Sequence, residues 1–375
     1  MPNEKREASR TALYERHRRA GGRMIPFAGW EMPVQYASIV EEHRAVRERA
    51  GLFDVSHMGE IFLTGPRREE EADRLTTARI SDREPGEVQY AVLLNERAGI
   101  VDDVLVYKLE DEVMLVVNAA NREKDLRWIL DRCAGRAAVS DRSLATSQVA
   151  VQGKRARTIF ARVADEPLLR LPYYRAAQGR VAGVEAIVSR TGYTGELGYE
   201  VYVPWEEGPR VWDALLEAGR GEGIAPVGLA ARDSLRLEMR YCLYGNDIDE
   251  ETTPYEAGIG WVVRKKETGF VGEEALAAAR QNGARRKLIG LRLGPRDIPR
   301  AGYPIVRAGR KIGAVTSGGF SPTLRAGIAL GYVDASAADE ESGFAVRIRG
   351  REVEALRQKG PFVPSSVKEE GEESQ

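Results

Sequence analysis

The chain has 375 residues, enough for two or three domains with sizeable cores, and its 56 Lys+Arg against 57 Asp+Glu leave a formal net charge of −1. That balance excludes a bulk polycationic nucleic-acid binder, and apolar stretches no longer than a strand give no membrane-spanning helix. Met1–Arg19 is charged throughout, carries Glu4, Glu7 and Glu15 and has no apolar core, so it fits neither a secretory signal nor a transit peptide, and a cytoplasmic location is expected. Cys133 and Cys242 are too few for a disulfide framework or a zinc site, and His17, His43 and His57 are too dispersed to bind a metal.

From Glu4 the pattern predicts a first amphipathic helix running to about Ala20 and stopping at Gly21-Gly22. A second starts at Ser38, with Glu41 completing a capping box, and closes at Gly51. Strands are predicted at 60–64, 89–94, 100–109 and 113–118, with Asn95 and Gly99 bracketing a hairpin turn. Helices follow at 122–133, 154–163, 206–222 and 229–240, and strands at 184–189 and 198–203 flank a Gly-rich loop. Beyond a charged helical connector, 273–286, six short strands separated by Gly, Pro, Asp and Ser predict a small closed β domain. They are 287–293, 303–307, 311–316, 328–333, 344–349 and 352–358. The final KEEGEESQ run, 368–375, has no apolar residue and reads as a disordered, solvated acidic tail. The fold class is therefore α+β: a 4–264 body of two lobes, a 265–286 connector, a 287–363 barrel and a 364–375 tail.

Three segments carry candidate chemistry. In IVDDVLVY (100–107), strand alternation places Asp103 with Val101, Leu105 and Tyr107, and Asp102 on the opposite face. A carboxylate among such apolar neighbours needs a partner or a cavity, although a pair of Asp also suits the end of a hairpin. SRTGYTGELGYE (189–200) has glycines spaced neither as a dinucleotide fingerprint nor as a Walker loop, so it is either an ordinary turn region or a ligand loop carrying Tyr193, with Glu200 on the face of Tyr202. On the 229–240 helix, Arg232, Asp233, Arg236 and Arg240 share a side, which suits a solvated face or an arginine clamp for a carboxylate.

Seven motifs stand in collinear order: FAGWEMPVQY (27–36), GLFDVSHMGE (51–60), VVNAANREKD (116–125), SRTGYTGELGYE (189–200), GLAARDSLRLE (228–238), TTPYEAGIGWVV (252–263) and TSGGFSPTL (316–324). Together they resemble the glycine cleavage system T proteins, tetrahydrofolate-dependent aminomethyltransferases, from about Thr11 to Pro361. The resemblance implies a three-lobed cloverleaf in which two mixed α+β folate-binding lobes and a C-terminal antiparallel β-barrel surround a central cavity. It implies transfer of the methylene carbon of the aminomethyl-lipoyl H protein to tetrahydrofolate, giving 5,10-methylenetetrahydrofolate, ammonia and dihydrolipoyl H protein. Tetrahydrofolate is then a co-substrate and the lipoylated H protein a partner, with no metal, flavin or nicotinamide and no nucleic acid or membrane.

Carried over residue by residue, the resemblance makes Asp103 the catalytic acid and Glu200 the pterin-binding carboxylate. Arg232, Tyr90, Tyr107, Asn118, Tyr174 and Tyr193 become residues of the folate site. Two departures stand out. Gln152-Gly153-Lys154 replaces the family's Gln-Gly-Pro, and the tail lacks the family's arginine, with Glu369 at the aligned position and Lys368 beside it. The same cavity would also suit a tetrahydrofolate-dependent demethylase of another small donor. A non-catalytic folate-binding relative assisting iron–sulfur assembly would carry a K-x-C-x-G-Q motif, absent here.

Overall fold

A computed structural model describes residues 8–368. Its architecture is mixed α+β, with a six-stranded sheet, a five-stranded sheet, a small three-stranded sheet and a closed six-stranded antiparallel barrel. The six-stranded sheet has the order Ala176–Val181, Val184–Ser189, Gly198–Pro204, Thr146–Gln152, Ala50–Asp54, Ile224–Pro226. Alternation along its central strands divides the side chains. Val149, Val151, Tyr199, Val201 and Val203 pack beneath the helix Gly208–Gly219, through Val211, Trp212 and Leu215. Phe53 and Ala150 face the helices Ile39–Glu48 and Leu229–Glu238. The five-stranded sheet, in the order Val88–Leu94, Ile100–Lys108, Val113–Val117, Gly59–Thr64, Ala138–Asp141, is backed by the helices Arg68–Leu75 and Arg122–Cys133. A third cluster joins this sheet to the barrel, bringing Val92, Leu94 and Ile100 against Leu288, Ile328 and Leu330, with Leu237 and Phe362 between them.

Several elements differ from the sequence pattern. The first helix is Tyr14–Arg19, not a run from Glu4; Ser9–Arg10 is a strand beside Trp30–Glu31, and residues 4–7 lie outside the described residues. The chain turns into the helix at Thr11, whose hydroxyl donates to Asp54 (2.7 Å) and accepts from the Leu13 amide. Phe27–Tyr36 begins in a hairpin that the sequence pattern missed, because Pro26 and Pro33 mask its strands, Arg23–Phe27 and Trp30–Gln35. Ala28 and Gly29 at its tip both have positive φ (49° and 82°), as a type I′ turn requires. The second helix ends at Glu48 rather than Gly51, because Ala50–Asp54 is a sheet strand. There a Cβ on Gly51 would lie 2.5 Å from Val46 and 2.6 Å from Val227.

The connector helix stops at Asn282 before Gly283 (φ 75°), so 283–286 is not helical. The predicted 311–316 barrel strand runs Arg310–Ser321, with a bulge near Thr316. Gly318, read as turn punctuation, lies inside it, where a Cβ would meet the Pro299 carbonyl at 2.9 Å. Residues 364–368 of the expected disordered tail are held: the Ser366 amide donates to Gly195 O (2.8 Å), and Arg190 reaches Val367 O (2.8 Å).

The Asn95–Gly99 turn is present. The Asn95 side chain accepts from the Arg97 and Gly99 amides, both at 2.9 Å, and donates to Glu250 O. A Cβ at Gly99 would sit 1.7 Å from that same carbonyl. Gly99→Ala is therefore expected to cost about 3 kcal/mol by forcing the 249–252 segment away. Chemical denaturation measures it, and a loss below about 0.5 kcal/mol would refute the close approach.

Candidate active site

The strand Ile100–Lys108 pairs with Val88–Leu94 so that Val92 faces Asp103, Leu93 faces Asp102 and Leu94 faces Ile100. Val101 is thus an extra residue, a β-bulge. The bulge corrects the simple alternation: Val101 packs with Val104 and Val106, not with Asp103. Asp103 keeps the side of Leu105, and both line a cavity of about 1290 Å³. The Asp103 carboxyl accepts from Tyr90 Oη (3.0 Å) and Asn118 Nδ2 (2.8 Å). Burial foremost, and then the charge of Asp102, raise its pKa above the ordinary carboxylate range, while the bonds from Tyr90 and Asn118 act against them. Burial also lifts Tyr90 well above its usual value, so Tyr90 remains an O–H donor at neutral pH.

Asp102 does point away from the cavity, but it is not idle. It is fully buried and accepts from the Asn118 amide and Nδ2, both at 2.9 Å, and from Asn121 Nδ2. Asn118 therefore clamps both acids at once.

Opposite this wall, Gly198–Pro204 places Glu200 and Tyr202 on one face, where Gln148 Nε2 reaches both, at 3.4 and 3.1 Å. Thr191 donates to Glu200. Burial raises the Glu200 pKa, with Thr191 and the charge of Arg232 opposing that rise. Arg232 projects from the 229–238 helix over the Tyr193 ring, 4.8 Å from its centroid, and lines the cavity. Among the described residues no hydrogen-bond or ion-pair partner reaches its guanidinium, whose nearby charge is that of Glu200. The other charges of that helix separate: Arg236 is buried on Asp247 and Asp233, both at 2.8 Å, and the helix ends at Glu238, before Arg240.

Tyr90, Asp103, Asn118, Tyr174, Tyr193, Glu200 and Arg232 all line the one cavity. Tyr107 does not. Its hydroxyl lies 2.8 Å from Tyr202 Oη and 3.3 Å from Ser189 Oγ, beneath the Thr191–Glu200 wall. Sequence reasoning missed Gln148 and His57 as site residues. His57 lies within GLFDVSHMGE, but Gln148 has no local signal. Burial and then Arg232 push His57 down to about 4, so it is a neutral imidazole at pH 7 in the cavity wall. Lys368 also lines the cavity, so the expected solvated tail does not begin there; Glu369 and the residues after it lie outside the described residues. No cluster of three or more metal-ligating side chains occurs among the described residues.

The family described as the GCVT N-terminal domain matches residues 13–267, and the glycine cleavage T-protein C-terminal barrel domain matches residues 286–364. An aminomethyltransferase of Halothermothrix orenii is 46% identical over 94% of this chain and 99% of its own length. One of Rubrobacter xylanophilus is 48% identical over 94% of each chain. The crystal structure of glycine cleavage system aminomethyltransferase T from Bartonella henselae superposes with a TM-score of 0.88 at 34% identity, covering 96% of this chain and 99% of that one. By sequence and fold the chain belongs to the glycine cleavage T-protein family. It is an aminomethyltransferase of the glycine cleavage system.

The two donors on Asp103 generate a direct prediction. Tyr90→Phe removes a hydrogen bond that favours the ionised carboxyl, so the Asp103 pKa should rise further, by about one pH unit. A carbon-13 titration of the carboxyl reads it, and an unchanged or lower value would contradict the assigned geometry.

Proposed function

We propose that the cavity takes tetrahydrofolate as co-substrate and receives the aminomethyl group on the lipoyl arm of the H protein, with Asp103 as the catalytic carboxyl. The supporting observation is one cavity: the Asp103 carboxyl, held by two donors, faces it from one wall, and buried Glu200 faces it from the opposite wall beside Arg232, which has no hydrogen-bond or ion-pair partner among the described residues. Two nitrogens of tetrahydrofolate, N5 and N10, take up the methylene carbon as its bonds to the amine nitrogen and to the lipoyl sulfur break, releasing ammonia and dihydrolipoyl H protein.

The protein's part is to bind, orient and manage charge in a site poor in water. Asp103, near the balance between its two protonation states, can hold or pass a proton at Oδ1 or Oδ2 while Tyr90 and Asn118 fix its direction. Glu200 offers two acceptor oxygens to a ligand edge carrying two N–H donors, the pattern a pterin presents. Arg232, lacking a protein partner, can donate to a ligand carbonyl or carboxylate. Neutral His57 and the aromatic rings of Tyr174 and Tyr193 fill the remaining walls. A cytoplasmic enzyme is the setting this reaction fits, and no helix among the described residues is long and apolar enough to cross a membrane. The proposed bodies are 4–264 for the two lobes, 265–286 for the connector and 287–363 for the barrel.

An assay with aminomethylated H protein and tetrahydrofolate, following ammonia release, tests the reading. Asp103→Asn should abolish most transfer while leaving folate affinity within a few-fold; retention of full transfer would remove Asp103 from the chemistry. Glu200→Gln should act on binding instead, losing about 2 kcal/mol or about 30-fold in affinity by calorimetry. Unchanged affinity would end its role as the pterin anchor.

A further inference from the structure

A second buried acid, Asp125, lies behind the Asp102–Asp103 strand. Asp125 lies on the helix Arg122–Cys133, one turn after Asn121, and is fully buried. Among the described residues no N–H or O–H outside the acids themselves donates to either of its carboxyl oxygens. Its amide donates to Asn121 O (2.8 Å), and Asn121 Nδ2 donates to Asp102, so the first turn of the helix sets the Asp125 carboxyl beside that of Asp102. Asp102, by contrast, accepts three N–H donors, from Asn118 N, Asn118 Nδ2 and Asn121 Nδ2. Two carboxyl groups in contact and sealed from water cannot both be charged. The one satisfied by three donors is the carboxylate; the one with none carries the proton and donates an O–H to its neighbour.

The other titratable groups around the pair are Asp103 from the same strand as Asp102, Lys124 on the helix of Asp125, and Tyr244 from the loop opposite. Lys124 does not neutralise the pair directly: its Nζ donates to Val101 O (2.6 Å) and Tyr244 Oη (2.9 Å), and pairs with Glu250 at 3.3 Å.

We infer that Asp125 is a positioning residue: it carries the shared proton of an Asp125–Asp102 pair and so fixes Asp102, Asn118 and, through Asn118, the cavity-facing carboxyl of Asp103. The chain of contacts is continuous. Asp125 O–H holds Asp102, Asp102 orients the Asn118 side chain, and Asn118 Nδ2 donates to Asp103 Oδ1 at 2.8 Å. Because the charge on Asp102 raises the Asp103 pKa, the location of this one proton also sets the charge felt by the catalytic carboxyl. The inference rests on the reading of Asp103 given above for its kinetic consequence, but not for the protonation state of Asp125.

The test compares Asp125→Asn, whose amide can replace the O–H donor, with Asp125→Leu, which has similar bulk and no donor. A protonated Asp125 means that the folded protein binds one more proton than the unfolded chain at pH values above the usual Asp range. The folding constant of the wild type then falls relative to Asp125→Asn by about tenfold per pH unit between pH 5 and 7. In the transfer assay, Asp125→Asn should keep kcat within about threefold, whereas Asp125→Leu should lose at least tenfold in kcat with the folate KM within threefold. A folding-constant ratio independent of pH would show that Asp125 is ionised and overturn the inference. Equal loss of kcat in both variants would overturn it too, since a lost donor would not explain the Asn variant. If the wild type transferred nothing to tetrahydrofolate, the reading of the cavity would fall, while the stability measurement would still decide where the proton resides.

Discussion

Two adjacent carboxyls in one dry strand are the constraint around which the site is built. Asp102 and Asp103 follow a bulge, so one turns into the protein and the other into the cavity, and burial penalises the charge of Asp103. The protein answers with donors on the inner acid and a divided clamp, Asn118, shared between them. The outer acid is left only partly compensated. That incomplete compensation keeps its pKa above the ordinary carboxylate range.

A second network ties the barrel to the helices that pack on the six-stranded sheet. Glu238, at the end of the 229–238 helix, accepts from Arg47 Nε (3.0 Å) and Nη2 (2.9 Å) on one side and from Thr323 Oγ1 (3.0 Å) and Ser321 on the other. Burial opposes its charge, but His43, Arg47 and Ser321 outweigh that and hold its pKa at about 2. Arg47 also reaches Glu196 (2.8 Å) and the Thr194 carbonyl, tying in the Gly-rich loop. The helix that carries Arg232 is thereby pinned at its far end to the barrel and to the Ile39–Glu48 helix. Arg232 itself lines the cavity and has no hydrogen-bond or ion-pair partner among the described residues.

Much of this was legible in the residues. Alternation in 198–203 correctly joined Glu200 to Tyr202, Ser38 caps its helix by accepting from the Glu41 amide while its hydroxyl, rather than its amide, donates to the Glu41 carboxylate, and the Asn95–Gly99 turn closes as its chemistry requires. Where periodicity failed, a backbone device intervened. The bulge at Val101 broke the alternation that placed it with Asp103, prolines hid the 23–35 hairpin, and Gly318 lies inside a strand because the Pro299 carbonyl passes close by. Tyr107 illustrates a finer limit: its face was right, yet its hydroxyl is consumed by Tyr202 and Ser189 one layer below the cavity.

The sequence by itself determined the fold class and the order of the elements, because periodicity, capping and turn chemistry are local properties of the chain; which residues converge followed only from the resemblance to the family. Only the tertiary structure decided the protonation of those residues. The raised pKa of Asp103, the neutral imidazole of His57 and the lack of a hydrogen-bond or ion-pair partner for Arg232 among the described residues depend on burial and on neighbours far away in the chain. Desolvation is set by what packs around a group, and local sequence does not contain it.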